Sequence, residues 1–209
     1  MNRALLILLL AVGAGAAEVA RRDVQVAVEA VDGGFTYALD SAIGSFTGED
    51  AFERIGILRL GGRWAWTSAG SQLAPLLGLD AELLDAPLPG GGLDGQGLAL
   101  AAGGTWAFAG PLALDLEGFV GLYRANLELP GAGSSTGLSG DGSMQRSGLR
   151  ARLAWSFTRH WTLAMEGGWS AWSADIAGAD DRTLTLDGSG LGAGLALAWR
   201  PSARPGSVE

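Results

Sequence analysis

Alternation at period two is the feature that most constrains this chain. Between residues 149 and 157, Leu149, Ala151, Leu153, Trp155 and Phe157 are apolar, while Gly148, Arg150, Arg152, Ala154 and Ser156 are small or charged. An extended chain sends successive side chains to opposite faces, so the segment reads as a strand with one apolar face. Leu58, Leu60, Gly62, Trp64 and Trp66 repeat the pattern against Arg59, Gly61, Arg63 and Ala65. So do Leu77, Leu79, Ala81 and Leu83 against Gly78, Asp80, Glu82 and Leu84. From Leu98 to Phe108 the apolar face is Leu98, Leu100, Ala102, Trp106 and Phe108, and the opposite face is nearly all Gly and Ala.

Such segments number about eight: residues 24–40, 54–67, 74–86, 94–108, 111–129, 146–158, 161–176 and 182–200. The first is interrupted at Asp32-Gly33-Gly34, and phase changes are expected near Gly118 and near residues 188–190, on glycines where a bulge is cheapest. Connections at 67–73, 109–111 and 159–160 are short, and those at 41–53, 86–93, 130–145 and 177–181 are longer. Alternating short and long connections describe an up-and-down meander with tight turns at one end. The expected fold class is all-β, an eight-stranded antiparallel up-and-down transmembrane β-barrel, in one domain spanning residues 18–200.

Residues 1–17 have the parts of a secretory signal peptide: Arg3, an apolar run over 4–12, and small residues at Ala14, Gly15, Ala16 and Ala17. That run is about half of the ~20 residues a spanning helix needs, and no second stretch approaches that length. Composition removes further classes. No cysteine is present, which excludes a disulfide scaffold or thiolate site, and a net charge of -8 argues against nucleic acid as a partner.

Six of the eight tryptophans, Trp64, Trp66, Trp106, Trp155, Trp161 and Trp199, fall near the tight-turn end of these strands. An aromatic belt at a membrane interface requires that clustering, because the indole is apolar yet keeps one donor for headgroups. Tyr37, Tyr123 and Trp172 form a thinner opposite belt. The charged fraction of 17% is low for a surface facing water. A secreted soluble lipocalin-like barrel, with its apolar face inward, shares the same period and stays open as an alternative.

With apolar faces toward lipid, the other faces enclose Arg59, Arg63, Asp80, Glu82, Asp115, Glu117, Arg124, Glu128, Arg150, Arg152 and Glu166. An eight-stranded barrel is just wide enough to be filled by side chains, so these charges are expected as an ion-paired network. Arg59 and Arg63 lie one turn from Asp80 and Glu82, within cross-strand reach. A small channel or a carrier for a small or hydrophobic solute is the competing reading.

These residues resemble the small bacterial outer-membrane β-barrels of the OmpA transmembrane-domain, OmpX and OmpW kind. The last strand is similar to the terminal signal those proteins present to the outer-membrane assembly machinery, with Gly194, Leu197 and Trp199 in the places of its glycine, apolar residue and closing aromatic. Residues 201–209 form a short tail beyond it. The resemblance implies export to the bacterial outer membrane, contact with outer-membrane lipid and lipopolysaccharide, and a structural or surface-interaction role through extracellular loops, as a monomer without cofactor, metal or catalytic residues. Lipid A-modifying barrels need a histidine near a serine at the outer rim; the single histidine here, His160, is in a tight turn at the other end. Among the loops, 41–53 carries Phe46 and Phe52 among Glu49, Asp50 and Glu53.

Overall fold

The computed structural model describes residues 18–42, 44–67, 72–88, 91–108, 110–129, 137–178 and 181–201. The expected signal segment at 1–17 and residues 202–209 of the expected tail lie outside them. Eight strands are present among the described residues: β1 (Glu18–Ser41), β2 (Gly44–Thr67), β3 (Leu73–Leu88), β4 (Gly91–Ala107), β5 (Leu112–Leu129), β6 (Leu138–Ser156), β7 (Trp161–Gly178) and β8 (Thr183–Trp199). Each pairs antiparallel with its sequence neighbours, and β1 pairs β8 from Val24↔Trp199 to Asp40↔Thr183, which closes the sheet into a barrel. Closure leaves no edge through the middle of the sheet, so the backbone groups there are bonded within it.

Strand number and order match the sequence reading, but the strand ends do not. β2 starts at Gly44 and β6 at Leu138, so most of 41–53 and half of 130–145 are strand where loops were expected. Residues 44–52 pair with 33–41 of β1, and 138–145 pair with β5 and, from Gly140 on, with β7. Their Gly, Ser and acidic content resembles a loop, yet a strand whose outer face meets water tolerates those residues once a neighbour supplies the ladder. The connections consequently shrink to 42–43, 89–90, 130–137 and 179–182 at one end, against 68–72, 108–111 and 157–160 at the other. Only 130–137 remains long, and the expected asymmetry of loop length disappears.

Neither expected phase change occurs. On β5 the odd-numbered residues face inward from Ala113 to Leu127, and on β8 the even-numbered ones do so from Leu184 to Ala198. What switches at Gly118 and at residues 188–190 is the chemistry of each face. The register of β1 against β2 slips between Val31 and Gly33, where the sequence suggested an interruption, while β1 runs unbroken along β8.

Candidate functional site

Two surfaces define the molecule: an apolar outer girdle and a charged interior. The girdle collects the outward side chains of every strand toward the end that carries the 68–72, 108–111 and 157–160 connections, among them Val24, Val26 and Val28, Leu58 and Leu60, Leu79 and Leu83, Leu98 and Leu100, Leu116 and Leu122, Leu149 and Leu153, Leu163 and Met165, and Leu191, Leu195 and Leu197, all exposed. Leu122, Leu149 and Leu191 stand 67%, 66% and 70% exposed, values no packed core allows. From Trp199 up to Leu191, or from Leu112 up to Leu122, the chain advances about eight to ten residues. At about 3.3 Å per residue and a tilt near 40° that is roughly 20–25 Å of height.

Six tryptophans border this girdle at that same end. Trp106, Trp155, Trp161 and Trp199 are exposed on its outer face, and Trp64 and Trp66 lie half-buried on the same face of β2. Trp161 is directly opposite Trp199, and Trp106 and Trp155 lie 5.2 and 5.8 Å from Phe108 and Phe157, ring centre to ring centre. Trp169 is outward at the other border, between Leu149 and Leu191. The thinner second belt is not there. Tyr123 and Trp172 are buried inside the barrel and Tyr37 packs against the same inner cluster.

Above the girdle the outer face turns polar on every strand: Asp32, Arg54, Asp85, Gln96, Arg124, Gln145, Ser173 and Ser189 mark the change. The stagger of the ladders joins these positions laterally, with Gln96 opposite Arg124 and Asp85 opposite both Gly56 and Asp94.

Inside the girdle runs a single connected ion-pair network. Arg63 donates through Nη1 and Nη2 to Asp80 at 2.8 Å each and through Nε and Nη2 to Glu117 at 3.0 Å each. Arg150 donates to Glu117 at 2.7 Å and lies 3.7 Å from Glu29 and 3.9 Å from Asp80. Arg146 donates to Glu29 at 2.7 Å and lies 3.5 Å from Glu82, which also accepts the Tyr123 hydroxyl. Arg59 donates to Glu166 and lies 3.5 Å from Glu29; Arg152 lies 3.4 Å from Glu166 and 3.9 Å from Asp115. The guanidinium groups of Arg146 and Arg150 also stack on Phe119, at 4.9 and 4.6 Å from its centre. Long side chains from six strands fit because β4 and β8 turn small residues inward: Gly97, Ala99, Ala101 and Gly103 on one, Gly190, Gly192, Gly194 and Ala196 on the other.

Nine of the eleven sequence-selected charges, Arg59, Arg63, Asp80, Glu82, Asp115, Glu117, Arg150, Arg152 and Glu166, are buried here. Arg124 and Glu128 are not: both are exposed on the outer face of β5. They were placed inside by the phase change at Gly118, which the regular β5 ladder does not make. Glu29 and Arg146 take their place. The parity of β6 pointed to Arg146, four residues before Arg150; on β1 no inward set was assigned, and Glu29 was missed. Arg63, opposite Gly78 in the ladder, pairs with Asp80 within cross-strand reach, but Arg59, opposite Glu82, reaches across to Glu166 and Glu29.

Toward the polar end the interior becomes apolar. Val31, Phe35, Ile55, Ile57, Leu84, Leu93, Tyr123, Leu127, Met144, Trp172, Ile176, Leu184 and Leu186 form one buried cluster above the ionic layer. The glycines near 33 and 188 serve it: a Cβ on Gly33 would come within 2.8 Å of the Trp172 ring, and one on Gly188 would also run into that indole. At the opposite end His160 sits in the 157–160 turn with its Nδ1 3.1 Å from the Arg200 carbonyl, and Arg200 pairs with Asp23 at 3.1 Å. On β8, Leu197 and Trp199 face outward, and Gly194 faces inward against Val28 and Glu29.

Neither the protein-family models nor the curated proteins contain a match to this sequence. Among solved structures, the chain is similar to Neisserial surface protein A, at 13% identity over 82% of this chain and 95% of that one, with a TM-score of 0.40. It is similar to the attachment invasion locus protein Ail of Yersinia pestis, at 11% identity over 87% and 99%, TM-score 0.45. It is also similar to the outer membrane protease OmpT of Escherichia coli, at 8% identity over 90% and 99%, TM-score 0.44.

Proposed function

We propose that the chain is a bacterial outer-membrane β-barrel whose interior is closed by side chains and which acts through the part that projects beyond the lipid. The observation that carries this reading is the facing of the two surfaces: apolar residues outward around all eight strands over roughly the ~25 Å of a hydrocarbon band, and ion-paired residues inward. A soluble barrel would face the opposite way at this level. The Trp-lined end is the periplasmic interface, and the polar end projects outward among lipopolysaccharide headgroups. Residues 1–17 direct export, and Gly194, Leu197 and Trp199 on the closing strand present the assembly signal.

Closure follows from the two layers. An ion must cross the buried apolar cluster and then a network whose arginines and carboxylates already bind each other, with desolvation opposing entry at the first step. The test is fractionation of cells carrying the full chain, an unheated against a boiled gel of the membrane fraction, and planar-bilayer recording of the purified protein. Outer-membrane location, a heat-dependent mobility shift and no reproducible conductance steps are expected. A detergent-free soluble product overturns the membrane reading, and reproducible steps replace the closed interior with a channel.

A further inference from the structure

We propose that the outer wall holds one phospholipid with a primary-amine headgroup, its amine on Asp85 and Asp94 and one acyl chain in a furrow of small residues that climbs to them across the girdle. This deepens the membrane reading above and rests on it. Where the β2–β3 ladder begins, at Gly56↔Asp85, lies an open notch of about 650 Å³. Its outward lining is of two kinds: Val28, Leu58 and Leu83 belong to the girdle, and Asp85, Asp94 and Gln96 belong to the polar ring above it. The first set meets acyl chains and the second meets headgroups, so the notch straddles the boundary at which a lipid changes from one to the other.

A row of ladder partners leads into the notch. From Ala151 on β6 it passes through Gly167, Ala193 and Ala30 to Gly56, each opposite the next and all on the outer face. Larger outward residues wall it: Met165, Leu195 and Val28 stand two residues below it on their strands, and Leu149, Trp169 and Leu191 two residues above. The row also climbs, because the residues next above it are still girdle on β6 and β8 but are Asp32 and Arg54 on β1 and β2. Packing does not call for its glycines. A Cβ on Gly56 or Gly167 would meet only a carbonyl oxygen, at 3.7 or 3.8 Å, whereas one on the inward Gly97 or Gly103 would run into the backbone of β5. Neither Gly56 nor Gly167 has a positive φ. What the missing side chains leave is a furrow whose walls are four residues apart, about 13 Å at about 3.3 Å per residue, room for one acyl chain between them. A chain lying there makes the dispersion contacts that the small residues leave unmade.

Charge at the head of the furrow selects the amine. Beyond Gly56 the same row continues as Asp85, Asp94 and Asn126. Asp85 and Asp94 are directly opposite each other, and like charges so placed repel. Arg54, one outward position above Gly56, is held by Asp32 at 3.3 Å. A primary ammonium between the two carboxylates relieves their repulsion and donates a charge-assisted hydrogen bond to each. Arg124, opposite Gln96 beside this pair and exposed on the same face, presents its guanidinium to the phosphate. Both charges of a zwitterionic headgroup are thereby matched, whereas a lipid with a phosphate and no amine brings an anion alone to two carboxylates.

The experiment uses the full chain in detergent micelles with one lipid added at a time, and native mass spectrometry counts the lipid retained. Phosphatidylethanolamine is expected as a one-to-one complex held about tenfold more tightly than phosphatidylcholine of the same chains, whose trimethylated nitrogen donates no hydrogen bond. Asp85→Asn together with Asp94→Asn is expected to bring the two lipids to equal retention while keeping the heat-dependent gel shift. Gly56→Leu together with Gly167→Leu, which fills the furrow, is expected to weaken both lipids alike. Equal retention of the two lipids by the unaltered protein overturns the amine site. A preference that survives both asparagines overturns its assignment to Asp85 and Asp94, and unchanged retention by the leucine variant overturns the furrow. Phosphatidylglycerol retained best and lost on chelation would put a divalent cation between the acids and overturn the amine. Any of these in a protein that still shows the gel shift overturns this inference alone; loss of the gel shift and membrane location in the unaltered chain overturns the reading beneath it.

Discussion

Replacing Arg63 by leucine tests whether the interior is dry. Arg63 is fully buried and binds Asp80 and Glu117 through two nitrogens each. Without it, Glu117 keeps Arg150 at 2.7 Å, but Asp80 is left with the same arginine at 3.9 Å and the Gln25 amide at 3.4 Å. Removing one partner of a buried pair leaves an uncompensated charge and costs about 3–5 kcal/mol. At about 1.4 kcal/mol per factor of ten, the folded-to-unfolded ratio falls roughly 10²- to 10³-fold or more. With a urea dependence near 2 kcal/mol per molar, the unfolding midpoint drops by about 1.5–2.5 M. The assay is urea unfolding of protein refolded into lipid vesicles, read by tryptophan fluorescence and by the unheated gel band. A water-filled lumen would screen the same pairs to about 0–1 kcal/mol, as at an exposed surface. The triple change Arg63→Leu, Asp80→Asn, Glu117→Gln removes the charges together and should regain a large part of the loss. A loss below about 1 kcal/mol for Arg63→Leu alone would refute the closed interior.

Three further outcomes check the facing of individual residues. Leu153 is outward in the girdle and Ala154 is buried against Ala27, Ala164 and Ala196; Leu153→Arg should cost about 2–4 kcal/mol in vesicles and much less in micelles, whereas the crowding caused by Ala154→Arg should be the same in both. Arg124→Glu, on the outer face, should stay within about 0.5 kcal/mol in the urea titration, whereas Arg146→Glu, which turns two pairs into repulsions, should lose more than about 3 kcal/mol. Gly188→Leu should displace the Trp172 indole and destabilise the barrel by about 1–3 kcal/mol, with a change in near-ultraviolet circular dichroism.

Facing was legible where period two was clean. Leu149 to Phe157 and Leu58 to Trp66 give both the strands and the inward arginines directly, and the small inner face of β4 announced a crowded interior. Where polarity reversed along a strand, the same pattern misled. Arg124 and Glu128 followed apolar neighbours on the outer face of β5, and a sequence rule that equates apolar with outward must then invent a phase change. Backbone continuity decides otherwise: an uninterrupted ladder with β4 and β6 keeps parity fixed, and only the environment outside the sheet differs. The polar stretches 44–53 and 138–145 read as loops for a related reason, since nothing local in them records the partner strand that holds them extended.

That reversal also fixes the depth of the barrel. At the level where the outer face becomes Asp32, Arg124, Asn126, Ser173, Asp175, Thr185 and Asp187, the inner neighbours are Val31, Tyr123, Ala125, Trp172, Ala174, Leu184 and Leu186. A wall bathed in lipid can face outward with its apolar side and hide charges; a wall bathed in water must do the opposite to keep a core. Both arrangements occur on the same strands, so the chain is a membrane barrel below this ring and an ordinary water-facing barrel above it. Sinking it by two residues would carry Asp32, Asp85 and Arg124 into the edge of the hydrocarbon, at a cost that starts near about 0–1 kcal/mol per charge and rises with depth, more steeply for the arginine than for the aspartates. Raising it would bring the girdle's upper leucines, Leu83, Leu98, Leu122, Leu149 and Leu191, into water. The inner switch from ion pairs to apolar packing is therefore the internal counterpart of the bilayer surface.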